Sequence, residues 1–169
     1  MPTLNHHTIT IRRSPEDVFN YATTPAHWPK WHPSSLRLQG DTAHPTLGGA
    51  QFEEDIRAGG RTGHIQWRVA ACEVGKVWVA DAASSNGVTL RVTYRVSPAG
   101  EGTLFERTLS YSIQGLWLKI LNVLILRRRI ERESALSLQQ LKAVMEKADA
   151  LRPSNGQEYS IPPLAHCAP

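Results

Sequence analysis
Arg107 stands where a charge is expensive. In the run Phe105-Glu106-Arg107-Thr108-Leu109-Ser110-Tyr111-Ser112-Ile113, every odd-numbered residue except this one is apolar or aromatic. A strand turns alternate side chains to opposite faces, so the dry face of this segment carries a guanidinium between Phe105 and Leu109. Gln51 to Ala58 repeats the anomaly, with Glu54 sharing a face with Phe52, Ile56 and Ala58. Two chemistries fit. Arg107 and Glu54 can simply be accommodated, near a strand end in water or paired with each other, and removing either partner of a dry ion pair costs about 3–5 kcal/mol. Alternatively, Arg107 offers its fixed fork of donors to a carboxylate, enolate or phenolate of a ligand. Tyr94 and Tyr111 point inward by the same alternation, each with a hydroxyl that needs a partner. They serve as core, as ligand contacts or as proton donors; the pattern alone does not choose.

Trp28 and Trp31, three residues apart, either pack a short helix onto a sheet or line an opening. Trp67 is a core or pocket-wall residue by its inward slot. With Phe52, Glu54, Tyr94, Phe105, Arg107, Tyr111 and Leu124 of a later helix, these tryptophans make up the candidate ligand-binding set. No catalytic residue can be named, because no nucleophile–base pair is visible. His27 and His32 are five apart with no third ligand, so no metal is expected, and no motif calls for a cofactor. His6-His7 is expected to lie in solvent.

The elements that position these groups are legible as periodicities. Val88 to Val96 alternates Val88, Leu90, Val92, Tyr94 and Val96 with Thr and Arg. Leu4 to Arg12, Ser35 to Leu38, Val77 to Ala82 and Thr103 to Ile113 also read as strands. So does Thr62 to Val74, with Ile65, Trp67, Val69 and Ala71 inward. Turn signals at Gly59-Gly60, Gly75, Ser85-Asn86-Gly87 and Pro98-Ala99-Gly100 separate the later strands. Ser14-Pro15-Glu16-Asp17 opens a short helix with a cap, a proline at the first position and two acids at its positive end. Thr24-Pro25 starts a second short turn, Ala26 to Trp31. From Leu116 to about Ala150 there is neither Gly nor Pro, which predicts a long helix. Its inner stripe is Trp117, Ile120, Leu124, Ala135, Leu138, Leu141 and Met145, with Arg127 and Glu131 on the same face as an ion pair or a polar belt. Leu118, Ile125 and Leu136 fall on the opposite side. Covering that surplus calls for a homodimer through the helix, a flexible lid, or transient membrane contact beside Arg127-Arg128-Arg129, the dimer being preferred.

Residues 1–150 read as one domain, large enough to bury roughly 70% of its unfolded surface without disulfide or metal. Residues 151–169, rich in Pro and without periodicity, are expected to be a disordered tail. Cys72 and Cys167 form no framework. The N-terminus lacks the regions of a signal peptide, so a cytoplasmic location is expected. The net charge of +4 comes without a concentrated basic face, so nucleic acid is not an expected partner.

The order of these elements resembles the START/birch-pollen-allergen-like superfamily, and within it the group of polyketide cyclases/dehydrases and lipid transport. The likeness rests on Ser14-Pro15-Glu16-Asp17-Val18-Phe19, on Pro25-Ala26-His27-Trp28-Pro29-Lys30-Trp31, on Gly48-Gly49-Ala50-Gln51-Phe52, on Trp67-Arg68-Val69 and on Gly102-Thr103. It implies an α+β helix-grip fold: a curved antiparallel sheet of about six or seven strands around a long C-terminal helix, with two short helices after the first strand. It also implies a cavity between sheet and helix. A small hydrophobic molecule (lipid, polyketide or aromatic) is the expected partner. Three functions remain open: a binding protein, a metal-free polyketide cyclase or dehydratase, and a peripheral membrane or partner-binding module.

Overall fold
The computed structural model describes residues 3–58, 61–85, 87–113 and 127–150. Seven antiparallel strands form one sheet: β1 (Thr3–Ile11), β2 (Ser35–Gly40), β3 (Gln51–Ala58), β4 (Arg61–Glu73), β5 (Val77–Ser84), β6 (Val88–Ala99) and β7 (Gly102–Ile113). Their spatial order is β1-β7-β6-β5-β4-β3-β2, so consecutive hairpins run from β2 to β7 and β1 closes the far edge. Helix α1 (Pro15–Thr23) and a 3₁₀ turn (Pro25–Lys30) link β1 to β2, and a long helix, α2 (Arg127–Ala150), follows the sheet. This is the expected helix-grip architecture. Ser14 caps α1, its Oγ accepting from the Asp17 amide at 3.1 Å.

Alternation decides the inner face. Val92, Tyr94 and Val96 of β6, and Phe105, Arg107, Leu109 and Tyr111 of β7, are all buried. In β4 the pattern breaks. A bulge between Val69 and Ala71 shifts the register, leaving Ala71 exposed and pairing Cys72 with Trp78. The extra residue flips every later side chain, so the inward slot expected for Ala71 is lost. Strand β6 runs through Pro98, which the sequence places in a turn; the reversal falls at Gly100, with φ of +59°.

Helix α2 turns Ser134, Ser137, Leu138, Leu141 and Met145 inward. It is tied to the β1 edge through polar contacts. Lys142 Nζ donates to the Thr10 carbonyl at 2.6 Å, and the Arg12 amide donates to Glu146 Oε1 at 3.0 Å. Arg13 Nε and Nη2 both reach the Met145 carbonyl, at 2.9 and 2.8 Å. Those bonds give the β1 edge and the two residues after it partners on α2. Arg127 and Glu131 are exposed, and an ion pair four residues apart forms on the other side of the helix, between Arg129 and Glu133 at 2.8 Å. Leu136 is 44% exposed. Trp117, Leu118, Ile120, Leu124, Ile125 and the expected tail lie outside the described residues, as do Gly59 and Gly60. Among the described residues, no helix is long and apolar enough to cross a membrane.

Gly102 opens β7 where the chain passes closest to β1. A Cβ there would collide with the Ile11 carbonyl oxygen and crowd the Arg12 backbone. Backbone cannot swing aside as a side chain does, so Gly102→Ala should destabilise the fold by about 1–3 kcal/mol. An unchanged denaturation midpoint would show that the strands part easily here.

Candidate functional site
Strand β7 places Arg107 between two Cα partners, His7 of β1 and Tyr94 of β6. Above this row lie His32, two residues beyond the 3₁₀ turn, and Ser134 of α2. Arg107 is 4% exposed. Its Nη1 donates to Ser134 Oγ at 2.9 Å and its Nη2 to His32 Nε2 at 2.9 Å. With Nε2 accepting, the ring proton of His32 sits on Nδ1. Burial, then the nearby guanidinium, hold the His32 pKa well below the usual histidine range. His7 is lowered by the same two causes, in the same order, with Glu131 acting against them. Burial pushes Tyr94 up to about 12, although Arg107 beside it favours the phenolate. Near neutral pH the immediate neighbours of Arg107 are therefore uncharged.

Glu54 is also 4% exposed. Trp67 Nε1 donates to its Oε2 at 2.8 Å. Burial raises its pKa to about 7, although Ser35, Trp67 and Arg107 all favour the carboxylate. Arg107 and Glu54 feel each other at a distance, and no ion-pair contact joins them. The first chemistry offered by the sequence, a direct Arg107–Glu54 pair, is thus not the one the chain adopts. Arg107 sits four strands away from Glu54 in the sheet and finds Ser134 and His32 first.

Five buried polar atoms of the described residues lack a hydrogen-bond partner: Asn5 Nδ2, His7 Nε2, Trp31 Nε1, Ser35 Oγ and Arg107 Nε. Native interiors leave few such atoms orphaned. Three of these can only donate, so whatever satisfies them must bring acceptor oxygens.

The raised carboxyl has a measurable consequence. Between its ordinary value of 4.5 and about 7, folded Glu54 keeps a proton that the unfolded chain has released. Stability therefore falls as pH rises through that window, and the cost, about 3 kcal/mol at most, is complete above it. Glu54→Gln keeps an acceptor for Trp67 and cannot ionise. It should match the native protein at pH 5 and exceed it by about 1–3 kcal/mol at pH 8 in denaturant titrations. An equal difference at both pH values would rule out a buried, titrating Glu54.

Around these polar groups stands an aromatic cluster. Trp28 meets Phe52, Trp67 and Trp78 edge-on, with ring centroids 5.4, 5.3 and 6.1 Å away. Tyr94 stacks on Trp78 at 5.1 Å, touches Phe105 at 5.3 Å and lies 6.2 Å from Trp31. A groove of about 670 Å³ is lined by both rows of the sheet, with Gln66, Arg68, Asp81 and Arg91 from the outward rows and Trp67, Ala82, Leu90 and Tyr111 from the inward ones. There Arg91 grips Asp81 through two bonds, of 2.6 and 2.8 Å.

A family model described as "Polyketide cyclase / dehydrase and lipid transport" matches residues 5–146. The chain belongs to this family. Among solved structures, this family member is similar to the di-domain ARO/CYC StfQ from the steffimycin biosynthetic pathway. The TM-score is 0.70 at 18% identity, over 89% of this chain and 53% of that one. It is also similar to TTHA0849 from Thermus thermophilus, with a TM-score of 0.67 and 15% identity over 86% and 99% of the two chains. Ara h 8.0201 gives a TM-score of 0.62 at 11% identity, over 87% and 99%. At such identities the likeness speaks for fold. No curated protein matches the chain significantly.

Within this family fold, the expected residues fall into three groups. Trp28, Trp31, Phe52, Trp67, Tyr94 and Phe105 come together in the aromatic cluster, with Glu54 and Arg107 at its polar margins. Tyr111 is buried farther along β7, two inward positions past Arg107, and is paired with Leu90. Leu124 lies outside the described residues. Sequence reasoning missed His32, Ser134, His7, Asn5 and the central Trp78. His7 was expected in solvent; it shares the inward parity of Ile9 and Ile11, a signal obscured by its neighbour His6, which does lie outside. Among the described residues, no group of His, Cys, Asp and Glu could hold a metal ion.

Proposed function
We propose that this family member binds a small, largely apolar molecule between sheet and α2, with an acidic or enolic oxygen of that molecule against Arg107. One observation carries the reading: a guanidinium that is 4% exposed, hydrogen-bonded only to neutral groups, with Nε left over. An ionised group buried without a counter-charge is costly, and an anionic ligand offsets that cost. The other unpartnered donors, on Asn5 and Trp31, also suit a ligand that carries oxygens. Phe52, Trp67, Tyr94, Phe105, Tyr111 and Leu124 are the proposed apolar contacts, with Trp28 and Trp31 behind them. Native mass spectrometry of the purified protein should reveal a co-purifying acid or phenol, and titration should favour dodecanoate over dodecanol. A protein that is always empty and indifferent to the charged head would refute the reading.

A second reading has its own support. Glu54, with its pKa near 7, is matched to proton transfer at neutral pH, and Arg107 and Tyr94 are placed to donate to an enolate. Cyclisation or dehydration of a poly-β-ketone would use that set. Incubation with a poly-β-ketone thioester decides it: ring-closed product with the native chain, and none above background with Glu54→Gln.

A further inference from the structure
Two opposite charges are buried on the inner face of one sheet without touching. Arg107 stands on β7 and Glu54 on β3, with β6, β5 and β4 between them. Each is 4% exposed and each hydrogen-bonds to neutral groups. An anion arriving at Arg107 would leave two negative charges against one positive in surroundings that solvate charge poorly. Protonation of Glu54 removes the excess without moving any chain segment. We infer that Glu54 sets the charge this interior accepts: an anion binds at Arg107 together with one proton taken up by Glu54. This rests on the Arg107 anchor proposed above and adds the residue that governs it.

The surroundings leave Glu54 as the group that responds. Facing it are Trp67 of β4, Ser35 of β2 and Arg107, while Asp55, the next residue along its strand, opposes ionisation from the outer face, where it meets His64. Tyr94 stays protonated far above neutral pH. His32 and His7, which face Arg107, are both held below the usual histidine range. Of the α2 acids, Glu131 acts on His7, while Glu133 is engaged by Ser34 and Arg129. Between pH 7.5 and 8.5 both imidazoles are neutral, and a carboxyl with a pKa of about 7 is mostly ionised, ready to take up a proton.

The test uses 8-anilinonaphthalene-1-sulfonate, whose sulfonate stays ionised throughout. Calorimetry at pH 8 in two buffers of different ionisation enthalpy should show uptake of close to one proton. The Kd should weaken about tenfold per pH unit above the Glu54 pKa. Glu54→Gln should show no uptake and no such pH dependence, and should bind about thirtyfold more tightly than the native chain at pH 8.5. Binding without proton uptake, with a flat pH profile, overturns the role of Glu54 and leaves the anchor intact. Binding indifferent to Arg107→Met, or no binding at all, overturns the anchor and this inference with it. The native proton count decides the matter even if the Glu54 variant fails to fold.

Discussion
Arg107→Met will fold about as well as the native chain and lose most of its affinity for acids. The pairing of these two outcomes is what separates a ligand anchor from a structural ion pair. Breaking a buried pair strands the surviving charge and costs about 3–5 kcal/mol. Here no carboxylate touches the guanidinium, so its removal strands none. Ser134 and His32 each lose one neutral partner, a loss of about 1 kcal/mol apiece, and a helix serine can turn its hydroxyl to a carbonyl in the preceding turn. Against that stands relief from burying a cation among neutral groups. Glu54 loses a distant attraction, so its carboxyl rises above about 7 and the variant becomes relatively less stable at pH 8 than at pH 6. A net stability change within about 1 kcal/mol at pH 6 is expected. Binding behaves differently, because hydrogen bonds to a charged partner contribute about 1.5–3 kcal/mol, or roughly 10- to 150-fold in Kd. Arg107→Lys keeps the charge and loses the fork, and should fall between. Equal affinities across the three proteins, or a variant that unfolds, would return Arg107 to a purely structural role.

Much of this site was readable because a strand enforces parity. Once Phe105, Leu109 and Tyr111 are inward, Arg107 must be inward too, and Phe52 does the same for Glu54. What parity does not supply is distance across the sheet. Pairing Arg107 with Glu54 was attractive because both are buried and opposite, yet the sheet order sets β7 and β3 four strands apart. The partners Arg107 actually finds come from outside the sheet, on a loop after a 3₁₀ turn and on one face of α2. No period in the sequence connects His32 or Ser134 to residue 107. Ala71 failed for a local reason, since a bulge adds one residue that hydrophobic alternation cannot signal. Trp78 went unnoticed as a centre because a short apolar run shows that it is buried but not what it touches.

The aromatic cluster should prove as decisive for folding as Arg107 is for binding, and Trp28 is where to strike it. Trp28 is 2% exposed and meets three aromatic rings edge-on. That geometry sets ring edges against ring faces and adds to simple burial. Its Nε1 also donates to the Ala22 carbonyl at 2.9 Å, fastening the 3₁₀ turn to the end of α1. Trp28→Ala therefore opens a cavity, at a cost of about 3–5 kcal/mol, and leaves a buried carbonyl without its donor. For a domain of this size the expected loss corresponds to a fall in Tm of about 10–20 °C. The damage should reach the binding site as well, because His32 packs 6.5 Å from the Trp28 ring and accepts from Arg107. Trp28→Phe, which keeps an aromatic edge but not the indole donor, should recover part of the packing and none of the tether. Thermal unfolding of the two variants measures both contributions. A Trp28→Ala protein within about 1 kcal/mol of native would mean that the 3₁₀ turn is merely laid on the sheet, free to move away and expose the interior.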